Sequence, residues 1–116
     1  MIVTQYSTPS GRRPVLEFIE KLPFETKYEV LVLLRRIENG EILTMPHSRS
    51  LSSMRHGLFE LRIKDPEGII RVFYYTKIHD SIFLLHALRK KSQTIPNKDK
   101  ALILKRINEI TKQHKG

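Results

Sequence analysis

The sequence predicts an α+β domain in which an N-terminal helical hairpin and a C-terminal helix pack on one side of a small antiparallel sheet. Three observations predict it. Apolar residues recur with a period near 3.6 between Val15 and Ile37, switch to a period of 2 from Phe59, and return to helical spacing between Ile103 and Ile110. The expected element order is β-α-α-β-β-β-α, over residues 1–116 as a single domain, since no repeat or Gly/Ser-rich linker divides them.

Residues 2–6 are short and partly β-branched, a candidate first strand. Val15, Phe18, Ile19 and Leu22 fall at i, i+3, i+4 and i+7, so a helix begins near Ser10 and tolerates Pro14 in its first turn. Leu22-Pro23-Phe24 breaks it. Val30, Leu31, Leu34 and Ile37 carry a second helix, which Asn39-Gly40 ends in a left-handed cap. Residues 41–57 lack a clear period and read as a loop.

From Phe59 the pattern belongs to strands. Phe59, Leu61 and Ile63 alternate with Glu60, Arg62 and Lys64, giving one buried and one polar face. Asp65-Pro66-Glu67-Gly68 is a turn, with proline presetting φ and glycine relieving the exit. Residues 69–77 form the next strand, His79-Asp80-Ser81 turns the chain again, and residues 82–88 are apolar on both faces and hence central. Short turns between three strands favour an antiparallel meander. Asn97 is the expected N-cap of a final helix with Ile103, Ile107 and Ile110 on one face.

Composition narrows the function. The chain holds 116 residues, 40% of them apolar, and no Cys, which excludes disulfide scaffolds and thiolate metal sites. The longest apolar run, residues 30–34, is five residues where a membrane span needs roughly twenty. No basic segment followed by an apolar stretch opens the chain, so the expectation is a soluble, cytoplasmic protein with no membrane partner. Lys and Arg number 21 against 12 Asp and Glu, a formal charge of +9. Residues 1–85 carry 12 basic and 10 acidic side chains, residues 86–116 carry 9 and 2. That basic last quarter suits a polyanion or an acidic protein, or else serves only solubility.

Candidate chemistry gathers on the strands. Glu60, Arg62 and Lys64 share an exposed polar row, and a regular hairpin at Asp65-Pro66-Glu67-Gly68 puts Arg71 nearly opposite Arg62, close enough to clamp one phosphate. Like charges so placed ask for a counter-anion, either a ligand or Glu60 itself in a cross-strand ion-pair network. Arg89-Lys90-Lys91 reaches phosphates or merely blunts a strand edge. Tyr75, on the Arg71 face, stacks a base or fills the core. His86 is a hydrogen-bonded core histidine, or an acid or base if it shares the Glu60 face. The five histidines lack metal-site spacing, so no metal or other cofactor is expected, and no Gly-rich phosphate loop or GxSxG elbow occurs.

Gly57-Leu58-Phe59-Glu60-Leu61-Arg62, Ile70-Arg71-Val72-Phe73-Tyr74-Tyr75, Leu84-Leu85-His86 and Lys90-Lys91-Ser92-Gln93-Thr94-Ile95-Pro96, in that order, resemble the HigB-like branch of the RelE/ParE toxin superfamily. Pro14-Val15-Leu16-Glu17-Phe18-Ile19 is similar to the family's first helix, and phage-derived relatives share the pattern. The resemblance implies a RelE-like fold and a toxin that cleaves messenger RNA, commonly on the ribosome, without metal. It also implies silencing by a cognate antitoxin with a helix-turn-helix domain. On matching positions it makes Glu60 the base, Arg62 and Arg71 the phosphate clamps, and the Arg89, Lys90 and Lys91 cluster the substrate contact and a source of the acid, Lys90 standing among the catalytic residues and the acid itself left open. Phe59 departs from the family's Trp, Ala87-Leu88-Arg89 from its usual small-aromatic-Lys triplet, and His114 lies beyond the last helix core. A non-catalytic RNA- or ribosome-binding relative and a gyrase inhibitor are the alternatives.

Overall fold

Residues 69–75 are apolar in both phases of the strand except at Arg71, a pattern that a sheet satisfies only when both of its faces are covered. The computed structural model, which describes residues 1–90 and 94–114, shows that arrangement. Its elements are β1 (Ile2–Gln5), α1 (Pro14–Glu20), α2 (Phe24–Glu38), β2 (Ser48–Ser50), β3 (Leu58–Asp65), β4 (Gly68–Ile78), β5 (Ser81–Lys90) and α3 (Asn97–Gln113). The sheet runs β1-β5-β4-β3-β2. β2 to β5 pair antiparallel, whereas β1 lies parallel to β5.

The architecture is α+β as expected, but two features of the expectation need correction. The sheet is mixed rather than antiparallel, because β1 joins its far edge beside β5. The helices do not lie on one side. Leu61, Ile63, Ile70, Val72 and Leu84 pack against Val15, Ile19, Val30 and Leu34 of the α1–α2 hairpin. Leu58, Phe73, Tyr75 and Leu85 pack against Ile103, Ile107 and Ile110 of α3. Two helical layers explain why β5 is apolar in both phases, and β4 rather than β5 takes the middle position.

Local signals fix the ends. Gly40 has φ of +91°, and its N–H donates to the Ile37 carbonyl at 3.0 Å, closing α2 in the left-handed cap. Pro96 rather than Asn97 precedes the first turn of α3, and no side chain caps it. The 41–57 segment is not all loop, since β2 sits within it and pairs with residues 59–61. Asp65 Oδ1 accepts the Glu67 N–H at 2.8 Å across the hairpin turn, and Asp65 pairs with Gly68. That tight turn sets the β3–β4 register.

Candidate functional site

With Asp65 paired to Gly68, the antiparallel ladder places Arg62 directly opposite Arg71 and Glu60 opposite Phe73, while Arg49 of β2 lies opposite Glu60. Alternation turns Glu60, Arg62 and Arg71 toward the α3 layer. Three guanidinium groups therefore converge on one carboxylate. Arg71 Nε donates to Glu60 Oε2 at 2.6 Å, and Arg71 Nη2 also contacts that oxygen. Arg62 Nη1 donates to Oε1 at 2.7 Å, and Arg49 Nη2 lies 3.4 Å from the same atom.

This cluster is not the open polar row expected of the strand. Glu60 is 0% exposed and Arg71 1%, while the side chains of Arg62 and Arg49 are 11% and 35% exposed. The reason is the second helical layer, which makes the polar phase of β3 an interior one. Burying a charge is tolerated only with partners, and here both Glu60 oxygens have them. The arginines do less well. Arg71 Nη1 and Arg49 Nε are buried with no hydrogen-bond acceptor, and the cluster carries three positive charges on one negative. Buried donors without acceptors are costly, so the cluster has both the donors and the surplus charge to hold a further anion. The Arg71 guanidinium also rests 5.8 Å from the Phe73 ring centroid.

Other expected site residues fall elsewhere. Tyr75 is 6% exposed in the core beneath α3, beside Leu58 and Phe83, so it fills space and cannot stack a base. Arg89 pairs with Ile70 and so points to the α1–α2 side, away from Arg71. There its Nη2 donates to Asp65 Oδ2 at 3.1 Å and its Nη1 meets Glu67 at 3.0 Å, tying the hairpin turn. Thr26 donates to the same Asp65 oxygen at 2.9 Å. The Glu67 backbone N–H, then Thr26 and Arg89, hold the Asp65 carboxyl below its usual range against the opposing effect of burial. Lys90 closes β5 in register with Ile69, and its side chain and Lys91 lie outside the described residues.

His86 does share the Glu60 face, since it pairs with Phe73, and their rings stack at 6.1 Å. Its chemistry is nevertheless structural. Asp99 Oδ1 lies 2.8 Å from Nε2, and Arg106 Nη1 lies 3.4 Å from Nδ1 while donating to the Leu85 carbonyl at 2.7 Å. An arginine can only donate, so Nδ1 is the acceptor and Nε2 carries the proton toward Asp99. Burial lowers the imidazole pKa, partly opposed by Asp99 and reinforced by Arg106. Both nitrogens are occupied in docking α3 to β5, which favours the core reading over acid or base work.

Arg49 is the residue that sequence reasoning missed. It lies in the segment without a period, on a strand of three residues, too short for alternation to show. Among the described residues, no helix is long and apolar enough to cross a membrane.

Comparison with known proteins adds one finding. The family model described as "Phage derived protein Gp49-like (DUF891)" matches residues 17–108, a span that includes Arg49, Glu60, Arg62 and Arg71. No curated protein matches the sequence.

Proposed function

Since the chain belongs to the Gp49-like family of phage-derived proteins, in the RelE/toxin-like group, we propose that it is the toxin of a type II toxin–antitoxin pair. In this reading it is a HigB-like endoribonuclease that cuts messenger RNA on the ribosome, in the cytoplasm, without a metal. The observation that supports the reading is the surplus of guanidinium groups around buried Glu60. RNA self-cleavage needs cations on a phosphorus that gains negative charge, and fixed donors in a dry site stabilise that charge far better than water does.

The proposed sequence starts with the scissile phosphate taking Arg62 and Arg49 away from Glu60 Oε1 while Arg71 keeps Oε2. Oε1, released beside the phosphate, accepts the proton of the 2′-hydroxyl. The 2′-oxygen bonds to phosphorus, the bond from phosphorus to the 5′-oxygen breaks, and the leaving oxygen takes its proton from Lys90. The products are a 2′,3′-cyclic phosphate and a 5′-hydroxyl. Silencing is assigned to a cognate antitoxin with a helix-turn-helix domain and an acidic segment, because opposite charge speeds capture by a +9 chain.

One observation favours a second reading. Both Glu60 oxygens are engaged by arginine, as in a phosphate-binding module in which the carboxylate only aligns the cations. Incubating purified chain and ribosomes with a defined message separates the two. Cyclic-phosphate ends made by wild type and lost in Arg62→Ala support the nuclease; RNA that binds but stays whole supports the module.

A further inference from the structure

Between α2 and the edge of β3 lies a groove of about 630 Å³ whose apolar α2 wall the phosphate reading does not use. Tyr28, Val32 and Leu33 form its α2 wall, and Arg62, Ile63 and Lys64 its strand wall. Phe24, Tyr28 and Val32 follow one another at four-residue spacing along α2, with the first two 80% and 62% exposed and their rings stacked at 6.5 Å. Leu31 and Met45 are also exposed. A contiguous apolar run of this kind marks an interaction surface, unlike single apolar residues scattered over a surface.

The strand wall is an unfinished sheet edge. β2 pairs only with residues 59–61, and one further bond runs from the Arg62 N–H to the His47 carbonyl at 2.8 Å. Beyond it, among the described residues, 63–65 have no strand on their outer side. Because Arg62 directs its N–H outward, Lys64 two residues on does the same, leaving a donor and an acceptor for another backbone.

Charge and alternation then select the occupant. α2 carries Lys27, Arg35 and Arg36 against Glu25, Glu29 and Glu38, a net charge of zero in a +9 protein, so its apolar stripe offers nothing to a polyanion. A strand added at Lys64 would turn alternate side chains toward Ile63 and Val32 on one face, and toward the Arg62 and Lys64 side chains on the other. The first set must be apolar and the second acidic.

We propose that this groove docks an extended segment of a partner protein, alternating apolar and acidic residues, which adds to the free edge of β3 as a sixth strand. Arg62 lines the groove and also bonds Glu60 Oε1 at 2.7 Å, so a carboxylate on the segment draws on the cation that the buried cluster uses. The docking inference stands whether or not that cluster cleaves RNA.

The test displays random peptides of about twelve residues on the full chain. The affinity of the enriched peptides is then measured for wild type, Val32→Asp and Lys64→Pro. A proline at Lys64 removes the outward donor while leaving the apolar wall and the β4 pairing in place. Enriched peptides should alternate apolar with acidic residues, and each variant should weaken them by about tenfold or more. Tyr28→Ala replaces Lys64→Pro if the proline lowers the thermal midpoint. Peptides without alternation, or peptides that bind the variants as well as wild type, overturn the proposal. So does a dimer of the chain that Val32→Asp dissociates, or a single-stranded RNA weakened by Val32→Asp when the peptides are not.

Discussion

Glu60 and Arg71 form an ion pair across β3 and β4 with side chains 0% and 1% exposed, the one pair among the described residues in which both partners are buried. Removing one partner of such a pair strands the other in a medium of low dielectric. Glu60→Gln should cost about 3–5 kcal/mol of stability, because three arginines lose their counter-charge together. Urea unfolding of the variant would show a lower midpoint with an unchanged slope. A midpoint equal to that of wild type would mean that water already neutralises the cluster.

Arg49 tests the electrostatic half of the account without threatening the fold. At 35% exposure its 3.4 Å contact with Glu60 is screened, so Arg49→Ala should change stability by about 1 kcal/mol or less. If Arg49 meets the phosphate, RNA affinity should fall, and the slope of log affinity against log salt should flatten by about 0.7, the single-strand value for one phosphate contact. Equal slopes in variant and wild type would remove Arg49 from the site.

His86 gives a pH dependence with a definite sign. The unfolded imidazole titrates near its ordinary value of about 6.5, and burial lowers the folded value. The unfolded chain therefore binds more protons below that point. The stabilisation is complete above about pH 6.5 and is lost as pH falls through the window between the unfolded and folded values. Unfolding midpoints measured from pH 5 to pH 8 should fall on the acid side in wild type and fall less in His86→Asn. An equally steep acid decline in both would reject the assignment.

Tyr74 and Ser48 share a buried hydroxyl pair at 2.6 Å, and burial raises the Tyr74 pKa. Tyr74→Phe leaves the Ser48 hydroxyl, 2% exposed, without that partner. Thermal denaturation should register a loss of about 1–2 kcal/mol, with the detachment of β2 from the edge visible as faster amide exchange at Arg49.

Much of this fold was readable in the sequence, because the signals that made it are local. The 3.6-residue spacing of Val15, Phe18, Ile19 and Leu22, the alternation from Phe59 to Lys64, and the Asn39-Gly40 cap each depend on neighbours within a few residues. The Arg62–Arg71 register was legible for the same reason, being set by one tight turn. Burial was harder to read, because alternation shows that a strand has two faces and not what covers each. Arg71 did carry a signal, as a lone cation among Ile69, Ile70, Val72 and Phe73 in a strand apolar in both phases. That pattern argues for a second helical layer, and with it the burial of Tyr75. Arg89 and Lys90 are adjacent in sequence, yet adjacent strand residues face opposite ways. β1 beside β5, and β2 with Arg49, rest on long-range pairing that no local pattern records.

The proposed role of the arginine cluster around Glu60 is to hold and cleave a phosphodiester. It meets its most direct test in the mapping of message 5′ ends from cells expressing wild type, Arg62→Ala or Glu60→Gln at matched folded levels. New 5′-hydroxyl ends that appear with wild type and vanish with both variants are the predicted result. The same ends at the same positions in all three, or no new ends from a wild-type protein that still arrests growth, would contradict it.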